Sequence, residues 1–416
     1  MLNHAVISVA FFADSLPCST NIEAFRGWHV YAAAGLRRQG FNVIAINLSN
    51  CNEIIVDNVD GVPLIRVPID LGKVSLVRQL SFIIKKLLGY DLELNNASLT
   101  YGDFVNSLIS SMENPILYLH GYHRRTEAWI AMNKMMRRKI PMILQNHASK
   151  PPFNLFGKNI VRRAIWYRRE NELRRIPGFF FALSEFEKRY LEALGVRHVM
   201  VRTMPTDFNL IKPLSESAKR EIRSRHNMRE DAIYITMYGG GIEKGTHYVP
   251  IINEALRRRF GSSTELIVTG VAPRLVEWLR RKGIMAFQRL SHKDYLEVGS
   301  ASDLFMMPAR SEIKYGGITV SVMEAMAAGV PVVSPTLIHF PDIRQVSKLG
   351  GLTRFVDSVN DLKSFIDELI HVIENLESFD SLLIHELGKK YYSWEAFTAD
   401  FRGAVSELEA TSRFGS

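Results

Sequence analysis

The chain has 416 residues, 47% of them hydrophobic and 23% charged, with 27 Gly and 16 Pro. That length exceeds what one core serves, so two domains of roughly 200 residues are expected, and the composition excludes a collagen-like, coiled-coil or disordered protein. An excess of 52 Lys+Arg over 43 Asp+Glu gives a net charge of +9, which permits a nucleotide diphosphate, an acidic membrane surface or nucleic acid as partner without choosing among them. Two cysteines, Cys18 and Cys51, are too few for a disulfide framework or a Cys-rich zinc site and agree with a reducing compartment. The opening MLNHAVISVAFFADSLP lacks a basic n-region, and no apolar run reaches the about 18 residues that span a bilayer. A cytoplasmic protein is expected.

Short apolar runs alternate with amphipathic segments from the start. AVISVAFFA reads as a strand, GWHVYAAAGLRRQG as a helix stopped by Gly40, and FNVIAINL as the next strand. The pattern continues through VPLIRVP, PILYLH, the helix TEAWIAMNKMMRRK, PMILQNH, GFFFALS and a helix over 185–194. A second series opens with the strand AIYITMYGGG. It runs through the helix of THYVPIINEALRRRF, strand TELIVTG, helix PRLVEWLRRKG, a short strand at IMAFQ, helix HKDYLEVGSA, strand DLFMMPA, helix ITVSVMEAMAAG and strand VPVVSP. Two such series imply two Rossmann-like domains with parallel sheets. The turn-rich stretch TMPTDFNLIKP is the linker candidate, which divides the chain into 1–206, 207–390 and a terminal helix over 391–416.

In YGGGIEKG, Gly239, Gly240 and Gly241 follow an apolar strand, and Lys244 precedes a helical pattern. Glycines there allow close backbone approach to a phosphate, the lysine adds a point charge, and the helix N-terminus adds oriented N–H groups. The spacing is neither a Walker A loop nor GxGxxG, and a tight turn with a solvated lysine fits it as well. In PARSEIKYGGITVSVMEAMAAGVPVVSP, Gly316 and Gly317 precede a second helix, with Ile318 and Thr319 at its entry. Glu324 lies in that helix among apolar residues. A buried carboxylate there needs good partners, which a ribose diol or a structural ion pair supplies.

The second half resembles the donor-binding domain of GT-B glycosyltransferases of the retaining family-4, or glycosyl transferases group 1, type. MEAMAAGVPVV is similar to the second half of the family's E-x7-E motif, IEKG to its lysine turn, LIVTG to the strand before the nucleotide-side loop, and FQRLSHKDYLEVGSASDLFMMPA to the segment lining the base pocket. The resemblance implies that Glu324 binds the ribose hydroxyls and Lys244 the diphosphate. Gly316 stands where the first glutamate belongs, and Glu312, twelve positions before Glu324, is the candidate replacement. Gly239 and Gly240 occupy the place of the family's arginine, so Arg289 or Arg310 is the candidate for the lost charge.

The first half resembles the acceptor domain more loosely, through GWHVYAAAGLRRQGFNVIAI, DGVPLIRVP and SEFEKRYLEALGV. Ser19, Thr20 and Asn21 lie in a loop that in the family faces donor phosphates and acceptor, or form an ordinary helix cap. His147 matches a cleft histidine beside the transferred sugar, and His120 is a second acceptor-side candidate. Both residue types at a strand end also serve as packed or capping groups. GKNIVRRAIWYRRENELRR, with Lys158, Arg162, Arg163, Arg168, Arg169, Arg174 and Arg175 interleaved with aromatics, suits an anionic membrane surface or a solvated helix face. No nucleic-acid module accompanies the charge, so nucleic acid is not an expected partner. Residues 91–93 (DLE) superficially resemble an acidic metal motif, but no catalytic metal is expected.

The resemblance therefore implies a GT-B fold, two Rossmann-like doubly wound domains facing across a cleft, the first acceptor-binding, the second donor-binding, and the terminal helix crossing back. The implied function is transfer of a sugar from a nucleotide diphosphate sugar to an acceptor hydroxyl, with retention, in glycan or glycolipid biosynthesis. Catalytic roles fall to His147 and Glu312. Donor binding falls to Gly240, Gly241, Lys244, Arg289, Arg310, Gly316, Gly317, Ile318, Thr319 and Glu324. No cofactor beyond the donor is expected, the acceptor is a carbohydrate or lipid-linked, and the location is cytoplasmic with an optional peripheral membrane contact. The alternatives are a GT-B sugar-nucleotide-binding subunit without turnover, a sugar-nucleotide epimerase and an NAD-dependent oxidoreductase.

Overall fold

The alternating pattern is realised as two sheets in the computed structural model, which describes residues 5–10, 28–49, 51–68, 99–120, 140–146, 173–176 and 178–414. The chain divides into two compact units, unit 1 being Met1–Arg202 with Thr398–Ser416 and unit 2 being Thr203–Phe397.

Unit 1 contains β1 (Ala5–Ala10), β2 (Asn42–Ser49), β3 (Ile55–Val59), β4 (Val62–Pro68), β5 (Pro115–His120), β6 (Met142–Gln145), β7 (Gly178–Ala182) and β8 (Val199–Val201). They form one sheet in the order β3-β4-β2-β1-β5-β6-β7-β8. Every neighbouring pair is parallel except β3 and β4, which are antiparallel. Helices α1 (Trp28–Arg38), α2 (Leu99–Ser110) and α3 (Glu185–Ala193) are the described helices between strands. β6 and β7 are buried at every position, as parallel strands covered on both faces must be, and so read as the unbroken runs MILQ and GFFFA. Ile7, Leu117, Leu144 and Phe180, from four adjacent strands, share a core with Val105 and Ile109 of α2 and Leu191 of α3. Cys51 is buried and disulfide-bonded. One bridge is no framework, yet it departs from the reduced state that the low cysteine count suggests.

Unit 2 contains β9 (Ile233–Tyr238), β10 (Thr264–Thr269), β11 (Met285–Phe287), β12 (Leu304–Met306), β13 (Val332–Val333) and β14 (Gly350–Gly351), all parallel, in the order β11-β10-β9-β12-β13-β14. Its helices are α4 (Glu216–Arg225), α5 (Val249–Phe260), α6 (Pro273–Arg280), α7 (His292–Ser300), α8 (Val320–Ala327), α9 (Val346–Leu349), α10 (Val359–Glu374) and α11 (Ser381–Tyr392). From β9 the chain builds outward to β10 and β11, then crosses to the other side for β12. The carboxyl end of β9 is therefore a topological switch point, where open α/β sheets bind ligands. Side-chain caps start the helices around it: Ser291 accepts from Asp294 N–H at α7, and Ser358 from Asp361 N–H at α10. A last helix, α12 (Trp394–Phe414), belongs to unit 1 from Thr398 onward. There Phe401 is buried and meets Phe41 and Tyr118 edge-on, with ring centres 5.4 Å apart in both pairs. The structure thus has the expected α/β class, with doubly wound parallel sheets.

Buried charge fastens unit 2. Arg223 of α4 donates through Nη2 to both oxygens of Asp303, at 2.8 and 2.7 Å, and through Nε to the Ala301 carbonyl at 3.0 Å. Asp303 also accepts from Tyr234 N–H of β9 at 2.8 Å. Removing one member strands the other in a poorly solvated place, a loss of about 3 kcal/mol or more. Arg223→Ala is expected to lower the urea midpoint of unfolding by that equivalent, whereas an exposed control such as Arg258→Ala shifts it by less than about 0.5 kcal/mol.

Candidate functional site

The switch point gathers the residues that carry chemistry in unit 2. β9 ends at Tyr238, and the chain turns through Gly239, Gly240 and Gly241 into a short turn over Ile242–Lys244. Gly245 closes that turn with φ +83, and an added Cβ would lie 2.0 Å from the Pro308 carbonyl oxygen beyond β12. Only glycine combines that dihedral with that approach. The turn is thereby pressed onto the end of the neighbouring strand. Arg310 N–H donates to the Glu243 carbonyl at 2.9 Å, which ties the lysine turn to the following turn, Ser311–Gly316.

Lys244 reaches back over the Tyr238 ring, its Nζ 4.5 Å from the ring centre. Burial holds its ammonium below the ordinary lysine value, against the pull of the Glu243 and Glu324 carboxylates. Glu324 projects from the second turn of α8, and its side chain is only 14% exposed. His292 Nε2, at the start of α7, lies 3.5 Å from Glu324 Oε1. Tyr295, one turn further on, lines the same cavity as Glu324. Burial chiefly, then the Glu324 charge, keeps its phenol protonated well above the usual tyrosine range. Tyr295, Glu324, Thr236, Thr269 and Ser321 line one small cavity between the sheet and helices α7 and α8. The Thr269 hydroxyl is buried without a hydrogen-bond partner.

α8 begins at Thr319, which makes no side-chain cap bond and leaves its hydroxyl 3.1 Å from Ser321 Oγ. Its first N–H groups therefore lack a capping oxygen and suit an anion. Gly316 and Gly317 end the preceding turn, and Ile318 is buried beneath α8. Arg310 Nη2 lies 3.6 Å from Glu312 and its Nε 3.9 Å from Asp357. It also depresses the pKa of His247, after burial. Glu312 is 44% exposed on its turn. Arg289 is exposed in the connection between β11 and α7.

Lys244, Glu324, the Gly240–Gly241 turn and the Gly317–Thr319 entry to α8 therefore cluster around the switch point, with Arg310 joined through the linked turns. Sequence reasoning missed Tyr238, Tyr295, His292 and Thr269. Tyr238 directly precedes three glycines, Thr269 lies in LIVTG, and His292 and Tyr295 lie in FQRLSHKDYLEVGSASDLFMMPA, so their segments were legible while the individual residues were not. In unit 1, His120 is fully buried, lies 3.0 Å from Ser8 Oγ and stacks 4.1 Å from the Tyr118 ring. Its neighbour in register is Gln145, which accepts from Tyr118. Ser19, Thr20, Asn21, His147, residues 91–93 and the basic residues Lys158 to Arg169 lie outside the described residues. Among the described residues, His226, Asp294 and Glu297 have metal-ligand spacing. Arg225 and Lys293 stand 3.4 and 3.9 Å from Glu297 and oppose a cation there. No described helix is long and apolar enough to cross a membrane.

Residues 234–375 match the family model for glycosyl transferases group 1, which spans β9 to α10 and every donor-side residue above. This segment is a glycosyl transferases group 1 domain. Three similar solved structures each cover 97% or more of the chain. A glycosyltransferase from Rickettsia africae is 14% identical with TM-score 0.62, covering 98% of this chain and 99% of its own. Anabaena Alr3699/HepE in complex with UDP and glucose is 13% identical with TM-score 0.60, covering 97% and 99%. A UDP-forming α,α-trehalose-phosphate synthase from Burkholderia vietnamiensis is 11% identical with TM-score 0.63, covering 99% and 100%. No curated protein matches the chain by sequence comparison. The fold is GT-B, and with its group 1 domain the protein is a glycosyltransferase.

For this glycosyltransferase, Gly245→Ala is expected to destabilise unit 2 by about 2 to 4 kcal/mol, since left-handed strain and a backbone clash act together. Circular dichroism melting reads that loss. An unchanged midpoint would show that the turn does not bear on Pro308.

Proposed function

We propose that the protein transfers a sugar from a nucleoside diphosphate sugar to an acceptor hydroxyl, with retention at the anomeric carbon, in glycan or glycolipid synthesis. The observation that carries this reading is the meeting of Lys244 and Glu324 at the carboxyl end of β9, where the Glu324 charge acts on the Lys244 ammonium. Glu324 accepts the ribose hydroxyls. Lys244, Arg310 and the uncapped start of α8 receive the diphosphate as negative charge develops on it, without water having to reorganise. UDP is the favoured leaving nucleotide, because HepE binds UDP and the trehalose-phosphate synthase is UDP-forming. Glu312 replaces the first glutamate at the transferred sugar, and Arg289 adds positive charge on the nucleotide side. Unit 1 holds the acceptor through Ser19, Thr20, Asn21 and His147, and the basic segment 158–175 rests on an anionic membrane carrying a lipid-linked acceptor. His120, fully buried against Ser8 and Tyr118, is a packed core residue rather than an acceptor contact. Basic side chains and helix dipoles take the place of a metal ion, so transfer is expected to proceed in excess EDTA.

A second reading, a nucleotide-binding chain without turnover, is favoured by Gly316 standing where the first glutamate belongs. Sugar transfer and hydrolysis measured with a panel of sugar nucleotides decide between the two, since binding without turnover supports only the second.

Glu324→Gln removes one or two charge-assisted hydrogen bonds, and UDP affinity by calorimetry is expected to fall about ten- to a hundredfold. Only protonated Lys244 attracts the diphosphate, so affinity falls as pH rises through its lowered pKa. Lys244→Arg keeps its charge and flattens that alkaline limb. A wild-type affinity that holds to the ordinary lysine range would remove Lys244 from the diphosphate.

A further inference from the structure

We infer that the basic surface formed by the ends of α5 and α6 in unit 2 docks on a bilayer of acidic phospholipids. This surface is independent of the nucleotide reading. It lies at the amino end of the sheet, where the chain enters β10 and β11, whereas the donor residues gather at the carboxyl end of β9.

The last turn of α5 carries Arg257, Arg258 and Arg259, and α6 ends in Arg280, followed by Arg281 and Lys282. The two ends meet. Arg257 Nη2 donates to the Gly283 carbonyl, and Asn253 Nδ2 to the Lys282 carbonyl, both at 3.0 Å. Gly283 has φ +70, and an added Cβ would fall 3.0 Å from the Arg257 guanidinium, so the glycine makes the turn that seats this arginine. Arg280 Nε donates to the Ala286 carbonyl of β11 at 3.0 Å. Arg257 and Arg280 are thus pinned by neutral carbonyls and keep their full charge in fixed places.

Cations near a helix C-terminus complement its dipole, and a carboxylate partner then makes an ordinary solvated surface of them. Arg258 and Arg259 fit that description, paired with Glu254 and Glu374. Arg257, Arg280, Arg281 and Lys282 do not. All four are exposed, and among the described residues none has a carboxylate within salt-bridge distance, Glu277 of α6 included. Uncompensated charge of one sign on one surface attracts anions. The kind of anion follows from the sheet edge. β11 is the edge strand, beside an open hollow of about 340 Å³ lined by Arg280 and Gly283 to Phe287. Arg280 already occupies the Ala286 carbonyl there, which obstructs an acidic peptide from adding as a strand. A phospholipid surface needs charge density and no strand register. Half-buried Phe260 and Trp278, in the last turns of the same helices, supply aromatic rings at headgroup depth.

The test is sedimentation of the full chain with vesicles of phosphatidylglycerol and phosphatidylcholine, against vesicles of phosphatidylcholine alone. Wild type is expected to sediment only with the acidic vesicles and to be released by about 0.5 M salt. Each basic side chain near an acidic surface strengthens partitioning about fivefold. Arg281→Gln with Lys282→Gln, whose side chains make no hydrogen bond among the described residues, is therefore expected to lower it about twenty- to thirtyfold, at an unchanged melting midpoint. Removing a compensated pair, Arg258→Gln with Glu254→Gln, is expected to change it by less than about twofold. Equal sedimentation of wild type and the Arg281/Lys282 variant would overturn the inference while leaving segment 158–175 as the membrane surface. Loss of poly-glutamate or RNA binding in that variant, with vesicle binding intact, would also overturn it and assign the surface to a soluble polyanion. Failure of wild type to sediment with acidic vesicles would overturn both membrane surfaces and leave the donor site untouched.

Discussion

A lysine and a glutamate of opposite charge share one partly dry corner at the carboxyl end of β9. Burial alone would strip Lys244 of its proton more readily than in water, and the Glu243 and Glu324 charges pull it back. Lys244 has no salt-bridge partner within 4 Å among the described residues, and the one basic group that close to Glu324 is the histidine His292, at 3.5 Å. Lys244 lies over the Tyr238 ring, and Glu324 lines a small cavity with Tyr295. Such a pair remains available to a ligand that is anionic at one end and carries hydroxyls at the other.

The surrounding structure serves to keep these two groups in place. The order of the parallel sheet puts β9 between β10 and β12, so the ends of three strands border one spot. Backbone contacts, which cannot relax as side chains do, set the distances. Gly245 lies against Pro308, and Arg310 N–H bonds the Glu243 carbonyl. Further back, Arg223 locks α4 to the turn before β12 through Asp303, which also grips β9. Stability and site geometry thus share the same strands.

Much of this was legible in the chain. Apolar runs bounded by turn formers located β1, β2, β4 to β7 and β9 to β13, because strands buried on both faces must be apolar throughout. The glycines at 239–241 and the match of MEAMAAGVPVV located Lys244 and Glu324. Other elements had no local signal. β3, IVDNV, has neither an apolar run nor an apolar/polar alternation and forms at the sheet edge as the antiparallel partner of β4, and β14 is two glycines whose strand character comes only from pairing with β13. α2 went unread because LTYGDFVNSLIS mixes helix formers with Gly, Thr and Asn. Tyr295 reads as an ordinary core position of an amphipathic helix. It packs on Tyr238, 57 positions earlier, and shares a cavity with Glu324, 29 positions later, a proximity that only the tertiary fold supplies.

The central claim is that one nucleotide bridges Lys244 and Glu324. Its most direct measurement is a crystal structure of the protein soaked with UDP. The account predicts ribose hydroxyls within hydrogen-bond distance of Glu324, with the diphosphate against Lys244 and the first N–H groups of α8. Nucleotide bound elsewhere, or bound here with Glu324 turned away from the ribose, would contradict it.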